Sequence, residues 1–351
     1  MTERQLLEQF LDTLRALPDV QIEPGYREPV AQVNLHVADQ SFTLLIEVKK
    51  AVYPRDVRQI LWQFREVNQN MLKAPSADEA VSILVAESIS PGAKDLLRRE
   101  SIGFYDSGGS LFLPARGVYL YIEKPPAKTL LKSMGTLFSG RRAQVLHTLL
   151  MRHQGWFGGK DLAEQALVSP ATASQVLTEL ERLDWLVSRG QGPNKERHLS
   201  EPTALLDAWV KQLTSMRAPA LRRYYVPAMN GNTLLKQVAE VFARHEVEYA
   251  IGFEAAAQCY APFLSSVSQV RARLMVGIAA TAAIGELGAR VVTEGANLAM
   301  IEAKSPGELL YREHVDGIWL ASPIQVYLDL LQGDGRAKEM AEHLRKEKIG
   351  F

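Results

Sequence analysis

The chain has 351 residues, with 47% hydrophobic and 23% charged side chains and a formal net charge of zero. Domains usually hold about 100–200 residues, so this length predicts two or three of them, and the composition is that of a folded protein rather than a disordered one. Zero net charge argues against a protein that coats nucleic acid everywhere. It does not exclude DNA binding, which depends on local charge.

Cysteine content and hydropathy indicate the cellular compartment of the protein and whether it binds metal or a membrane. The single cysteine, Cys259, excludes an internal disulfide and is expected to be a small buried residue in an apolar stretch. No Cys/His cluster offers a zinc site, and no metal or other cofactor is expected. The amino terminus is charged, unlike a signal peptide, and no apolar run of about 18 residues is present. These features predict a cytoplasmic protein with no membrane partner.

Residues 1–125 are predicted to form an α/β domain. A helix is expected over residues 3–16 and strands over 30–37 and 42–49, with a turn at Asp39-Gln40 between the strands. The second strand is the more hydrophobic and should be the more central. Helices are expected next at 54–68 and 91–100, with a strand at 81–86 and short strands at 102–106 and 110–113.

Residues 126–215 and 216–351 are predicted as two further domains. Pro125-Pro126 begins a linker of about fifteen residues. From Arg141 we expect three short helices and a hairpin, then a helix over 203–216. The last domain mixes elements: helices at 232–245, 323–331 and 335–346, and strands at 271–276, 291–293 and 299–301.

The third helix of the central domain has the pattern of a helix that reads DNA. Ser169 is a plausible N-cap and Pro170 the first helical residue. An apolar face, ending at Leu183, leaves short polar side chains exposed, and such side chains allow approach to base edges in the major groove. The exposed set is Thr172, Ser174, Gln175, Thr178 and Arg182, and these residues, with Ser169 at the start of the helix, are the predicted DNA contacts.

A hairpin with basic side chains follows this helix, in a region that is basic as a whole. Between Lys128 and Arg197 there are ten Lys/Arg and six Asp/Glu, a local balance of +4. A flexible Gly/Pro tip suits contact with phosphates or the minor groove. The side chains predicted to make that contact are Arg189, Lys195, Arg197 and His198.

Over about sixty residues this spacing resembles the winged-helix bacterial regulators of the MarR-like kind. The resemblance implies that double-stranded DNA is the partner. The alternative is a winged helix used only for contact with protein.

The strand Ile46-Glu47-Val48-Lys49 places a carboxylate and a lysine on one face. With the surrounding order of elements it resembles the PD-(D/E)xK restriction-endonuclease-like fold, which implies a divalent cation held by acids on two strands. The preceding strand holds Gln32 or Asn34 at the matching position, and an amide is a weak magnesium ligand. Glu28 and Asp39 lie toward the strand ends.

We therefore expect no catalytic site, with Glu47, Lys49 and Asn34 as degenerate nuclease candidates. The alternatives are an active nuclease, a relic fold that contacts DNA or protein, and a simple Glu47–Lys49 ion pair on a strand edge.

The segments 250–257, 321–331 and 335–345 resemble the AbiEi-type antitoxins of type IV toxin–antitoxin systems. The resemblance implies a repressor whose last domain is related to nucleotidyltransferases. Nucleotidyl transfer needs clustered carboxylates, but the candidate strand reads Arg271-Ala-Arg273, and the acids Glu254, Glu302 and Asp316 are scattered. Catalysis is not expected.

The predicted fold class is α/β multidomain: a restriction-endonuclease-like α/β domain, a winged helix-turn-helix and a nucleotidyltransferase-like α+β domain. Three functions compete: a DNA-binding transcriptional regulator that represses its own operon as an antitoxin, a metal-dependent DNA nuclease, and a module that neutralises a nucleotidyltransferase-like toxin. A palindromic operator would require a homodimer, and no heptad repeat that would mediate one is present.

Overall fold

A computed structural model describes residues 1–27, 31–37, 40–71, 79–125, 135–213, 218–333 and 335–351. The protein is an α/β protein with mixed sheets. Its contacts divide the chain into two compact units: Met1–Thr136 with Thr178–Asp184, and Leu137–Leu177 with Trp185–Phe351.

The first unit is built on a sheet whose strands are adjacent in chain order. The third strand pairs in parallel with the fourth and the fourth with the fifth, and the remaining pairs are antiparallel. The strands are β1 Val20–Arg27, β2 Ala31–Val37, β3 Gln40–Val52, β4 Glu79–Ile89, β5 Gly103–Asp106, β6 Leu111–Ala115 and β7 Val118–Ile122. The helices are α1 Glu3–Arg15, α2 Pro54–Met71 and α3 Pro91–Arg99.

Helices cover both faces of this sheet. Successive side chains of a strand point to opposite faces, so Leu44 and Ile46 of β3 pack in one apolar cluster with Phe10 of α1. Leu45 packs in the other cluster with Phe64 of α2. Strand β3 is therefore central, as its hydrophobicity predicts.

Some elements of this unit differ from the prediction. Strands β1 and β7 were not predicted; β1 contains Pro24-Gly25, which breaks the strand pattern and coincides with an irregular register against β2. The predicted strand residue Val30, the turn residue Asp39 and the acid Glu28 lie outside the described residues, as do residues 126–134 of the expected linker.

Residues 140–199 form three helices and a hairpin in the order that the sequence predicted. A short strand at Phe157–Gly158, which was not predicted, pairs with the hairpin and completes a small antiparallel sheet. The side chains expected inside the first helix, Val145, Leu146, Leu149 and Leu150, are buried. Leu183, expected on the apolar face of the third helix, is only half-buried. The elements are α4 Gly140–Met151, β8 Phe157–Gly158, α5 Gly159–Gln165, α6 Pro170–Arg182, β9 Leu186–Arg189 and β10 Glu196–Leu199.

The rest of the second unit surrounds a second mixed sheet, whose strands are β11 Arg222–Tyr225, β12 Tyr249–Gly252, β13 Val270–Met275, β14 Arg290–Val291, β15 Leu298–Ala303, β16 Glu313–Val315 and β17 Ile318–Leu320. Across the sheet the strand order is β14-β11-β15-β13-β12-β17-β16. Its helices are α7 Pro202–Leu213, α8 Gly231–Arg244, α9 Phe253–Tyr260, α10 Ile278–Glu286, α11 Pro323–Leu331 and α12 Ala337–Leu344. Residues 214–216 of the predicted helix lie outside the described part.

The expectation for Cys259 was wrong, because its side chain is exposed near the end of α9. Neighbouring atoms nevertheless remove part of the water around the sulfur, and this desolvation, with a smaller contribution from the charge of Asp316, raises the pKa of the thiol. The thiol therefore stays protonated at neutral pH. Among the described helices, none is both long enough and apolar enough to cross a membrane.

Candidate nucleic-acid interface

Helix α6 begins at a capped turn. The Ser169 hydroxyl accepts a hydrogen bond from the backbone N–H of Thr172 at 3.2 Å, and the two hydroxyl oxygens lie 2.9 Å apart. This bond satisfies one of the N–H groups that the start of a helix leaves unbonded. The predicted cap at Ser169, with Pro170 as the first helical residue, is confirmed.

The first half of α6 presents a polar face to solvent. Ser174 and Gln175 are exposed and Thr172 is half-buried. The Gln175 side-chain oxygen accepts a hydrogen bond from the Arg142 guanidinium at 3.1 Å, which orients the amide. Arg142 was not among the predicted binding residues, although the basic pair Arg141-Arg142 at the start of a helix could have indicated it. The buried face of this half consists of Ala173, Val176 and Leu177.

The second half of α6 belongs to the first unit. Thr178 and Arg182 are exposed, as predicted. The Arg182 guanidinium lies 3.3 Å from the Glu179 carboxylate and 6.0 Å from the ring of Tyr53. Burial and the charge of Glu179 raise the pKa of Tyr53. Part of the positive charge of Arg182 is therefore already offset within the protein.

Strands β9 and β10 form the predicted hairpin, paired from Leu186 with Leu199 to Arg189 with Glu196. Its tip depends on Gly190, which has a φ of +75°. A Cβ at this position would lie 2.6 Å from the backbone oxygen of Asn194. Only glycine accommodates both the backbone angle and this close approach.

The basic side chains of the hairpin are held in place. Arg189 donates to the Glu196 carboxylate at 2.8 Å, and its guanidinium lies 4.2 Å from the ring centre of Trp156. The His198 ring is 5.6 Å from the same indole. Lys195 and Arg197 are half-buried, and each has an interaction partner. The aromatic Trp156, which orients this group, was not singled out from the sequence.

Glu47 and Lys49 form an ion pair of 2.7 Å on the sheet of the first unit. The pair lies on the central strand β3, not on a strand edge as the ion-pair interpretation assumed. Asn34 is opposite Thr43, whose hydroxyl donates to its side-chain oxygen at 3.3 Å, and Gln32 is opposite Leu45. Neither amide is therefore directly opposite Glu47. Within the described ranges no group of three His, Cys, Asp or Glu side chains could hold a metal ion.

The basic strand β13 faces inward. Arg273 is 9% exposed and makes two hydrogen bonds, of 2.5 and 2.7 Å, to Asp329, which is 3% exposed. Arg271 lies 3.8 Å from Glu254 and 4.6 Å from the ring centre of Phe253. Both arginines thus serve internal contacts. The other predicted acids stand apart: Glu302 pairs with Arg222 at 2.6 Å, and Asp316 lies between β16 and β17 with a φ of +49°.

Comparison with known proteins assigns neither a family nor a function to the chain. No family model matches the chain, and neither the search of characterised proteins nor that of solved structures found a match.

Proposed function

We propose that this protein is a DNA-binding transcriptional regulator that binds duplex DNA through a winged helix-turn-helix at about residues 141–200. The observation that carries the proposal is the capped helix α6, which exposes short polar side chains near its start and is followed by a basic hairpin. Helices of this kind enter the major groove with their first turns against the base edges.

The side chains divide into two roles. Thr172, Ser174, Gln175 and Thr178 are short enough to reach base edges from a helix in the groove, and they would supply sequence discrimination. The group from the hairpin would contact phosphates and supply affinity that does not depend on sequence. This second group consists of Arg189, Lys195, Arg197 and His198.

Fluorescence anisotropy with duplexes selected from fragmented genomic DNA tests both roles. We expect the double variant Gln175→Ala/Thr178→Ala to lose discrimination between selected and scrambled duplexes, by about 1–3 kcal/mol for each base contact. Lys195→Ala/Arg197→Ala should weaken binding to both duplexes and lower the slope of log affinity against log salt by about 0.9 per lost phosphate contact.

The matched control is Lys236→Ala/Lys338→Ala, which removes the same charge from exposed positions on α8 and α12. Affinity and discrimination that stay unchanged in both test variants would contradict the proposal.

The finer assignment is that of an autorepressor of the antitoxin type. The resemblance of the last 110 residues to AbiEi-type antitoxins supports this assignment. The same resemblance supports a nucleotidyltransferase-like fold for those residues and a nucleotidyltransferase-like toxin as the partner. Binding as a homodimer would match a palindromic operator. A reporter driven by the DNA upstream of its own gene should be repressed by the protein and released in the Lys195→Ala/Arg197→Ala variant.

A second candidate function, a metal-dependent DNA nuclease, is favoured by the Glu47–Lys49 pair on a central strand. The order α1, β1 to β3, α2 and β4, with β3 parallel to β4, supports a restriction-endonuclease-like fold. Incubation with duplex DNA and Mg²⁺ or Mn²⁺ tests it. Cleavage that Glu47→Ala and Lys49→Ala abolish, and that the exposed control Glu3→Ala keeps, would establish the nuclease.

A further inference from the structure

The second unit contains a cavity of about 750 Å³ that the proposed DNA contacts do not use. Helix α4 forms one wall with Arg141, Gln144 and His147, and the segment that follows β15 forms another with Lys304 and Ser305. Cavities of roughly 300–1,000 Å³ are typical of small-molecule sites. The size therefore suits a ligand larger than an inorganic ion.

The cavity wall carries an excess of positive charge. Arg141, Arg222 and Lys304 line it, against two carboxylates, Glu302 and Glu308. Arg222 is paired with Glu302 at 2.6 Å, the Arg141 guanidinium donates to the Leu167 carbonyl at 3.0 Å, and the backbone N–H of Lys304 donates to the Glu308 carboxylate at 3.0 Å. In the described part of the chain, no ion pair joins a carboxylate to the side-chain nitrogens of Arg141 or Lys304. The amino-terminal end of α4, at the same wall, adds the positive end of a helix dipole. An anionic group would be attracted to this wall.

The remaining wall is neutral or apolar. Burial, with the nearby charge of Arg273, lowers the pKa of His147 to about 4, so its imidazole is neutral at pH 7. The Gln144 amide nitrogen donates to the Ser305 hydroxyl at 3.3 Å. Trp209 and Ile301 supply apolar surface. An apolar or aromatic body fits here beside the anionic group.

The cavity is connected to the proposed DNA-binding helix through α4. Arg141 lines the cavity, and the adjacent Arg142 donates to Gln175 on α6 at 3.1 Å. Helix α4 is also tied to the start of α11, because the His147 imidazole lies 2.5 Å from the Ser322 hydroxyl. A ligand that moves α4 would change the position of Arg142 and of the amide that it orients.

We propose that this cavity binds a small organic anion, an apolar or aromatic body bearing a phosphate or a carboxylate, and that this ligand is an effector of DNA binding. The effector role rests on the proposed function, whereas binding of the ligand does not. By linkage, the factor by which the ligand changes DNA affinity equals the factor by which DNA changes ligand affinity.

Isothermal titration of the full chain without DNA tests the site. The probes are AMP, benzoate, the uncharged adenosine and inorganic phosphate. We expect AMP or benzoate to bind at least tenfold more tightly than adenosine, which lacks the charged hydrogen bond. They should also bind more tightly than inorganic phosphate, which lacks the apolar body. A preference for AMP identifies a phosphate ligand, and a preference for benzoate a carboxylate.

Single substitutions test whether the anion binds in this cavity. Lys304→Gln and Arg141→Gln should each weaken binding about tenfold, and Lys338→Gln, an exposed lysine outside the cavity, should leave it unchanged. If adenosine binds as well as both anions, if neither anion binds at millimolar concentration, or if Lys304→Gln binds normally, the proposed site is overturned.

Anisotropy titrations with duplex DNA then test the effector role. We expect the bound anion to change DNA affinity by about fivefold or more, and Lys304→Gln to keep the DNA affinity of the free protein but lose this response. Ligand binding without any change in DNA affinity would overturn the effector role alone. Failure to bind DNA at all would overturn the proposed function and leave the ligand titrations valid.

Discussion

Two basic stretches of the second unit, each with two arginines, differ in how far the structure exposes those arginines. The strand β13 carries Arg271 and Arg273 two residues apart, and the hairpin carries Arg189 on β9 and Arg197 on β10. Arg273 is buried against Asp329, whereas the side chain of Arg189 is 56% exposed beside Glu196 at the surface. A local excess of arginine therefore indicates a nucleic-acid surface only where the fold keeps the charges in solvent.

The two environments give the same residue type different energetic roles. A buried arginine needs its partner, because an unpaired charge in a low-dielectric interior is strongly unfavourable. An exposed ion pair contributes little to stability, because water screens it. Stability and DNA affinity should thus respond to different arginines, which Asp329→Asn and Arg189→Ala test directly.

The largest effect is expected for Asp329→Asn, which leaves the Arg273 guanidinium buried without a carboxylate. We expect the free energy of unfolding to fall by about 3–5 kcal/mol in urea denaturation. The control is Asp207→Asn, where the exposed carboxylate pairs with Arg345 at 2.8 Å and the loss should stay below about 1 kcal/mol. Equal losses in the two variants would mean that burial does not distinguish these pairs.

The next effect is a pH dependence from His147, which is 7% exposed, lies beside Ser322 and the Tyr311 ring, and is close to the charge of Arg273. Its pKa is about 4 in the folded protein, below the ordinary value of 6.5. Between these values the unfolded chain binds the proton and the folded protein does not. Stability is therefore full above pH 6.5 and decreases as the pH falls toward 4, by about 3 kcal/mol in total.

Urea denaturation at pH 7 and pH 5 checks this dependence. The difference between the two pH values should be smaller in His147→Gln than in the wild type by about 2 kcal/mol. The exposed control His314→Gln should retain the wild-type difference. A His147→Gln variant with an unchanged pH dependence would show that this histidine does not remain neutral.

A smaller effect is expected for Ser169→Ala, which removes the cap of α6. The loss should be about 1 kcal/mol, the usual contribution of an N-cap serine, in urea denaturation. Ser188→Ala, at an exposed position of β9, should change stability by less than about 0.5 kcal/mol. If the two variants were equally stable, the cap would contribute nothing to this helix.

The smallest effect on stability is expected for Arg189→Ala. Its ion pair with Glu196 is exposed on both sides, so the free energy of unfolding should change by less than about 1 kcal/mol. DNA affinity should nevertheless fall several-fold and become less dependent on salt. Arg290→Ala, an exposed arginine on β14, removes the same charge and should leave both properties close to the wild type. Loss of stability without loss of affinity would reverse the roles of the two basic regions.

Much of the candidate interface could be predicted because its signals are local. The cap at Ser169 needs only a serine, a following proline and an apolar period of 3.6 residues, all within one helix. The high hydrophobicity of β3 likewise indicated a central strand. Strand β1 could not be found in this way, because Pro24-Gly25 interrupts its pattern. Strand β7 is as long as β6, and its β-branched and aromatic residues were a local strand signal that the prediction missed.

The sequence by itself determined the helices and hairpin of residues 140–199, since capping, turns and periodicity act between residues close in the chain. Only the tertiary structure decided which charges are buried. Arg273 and Asp329 are 56 residues apart, and Arg142 and Gln175 are 33 apart. No local pattern specifies such partners, because pairing over that distance depends on how the intervening elements pack. In the two basic stretches, that packing buries Arg273 against Asp329 and leaves Arg189 exposed at the surface.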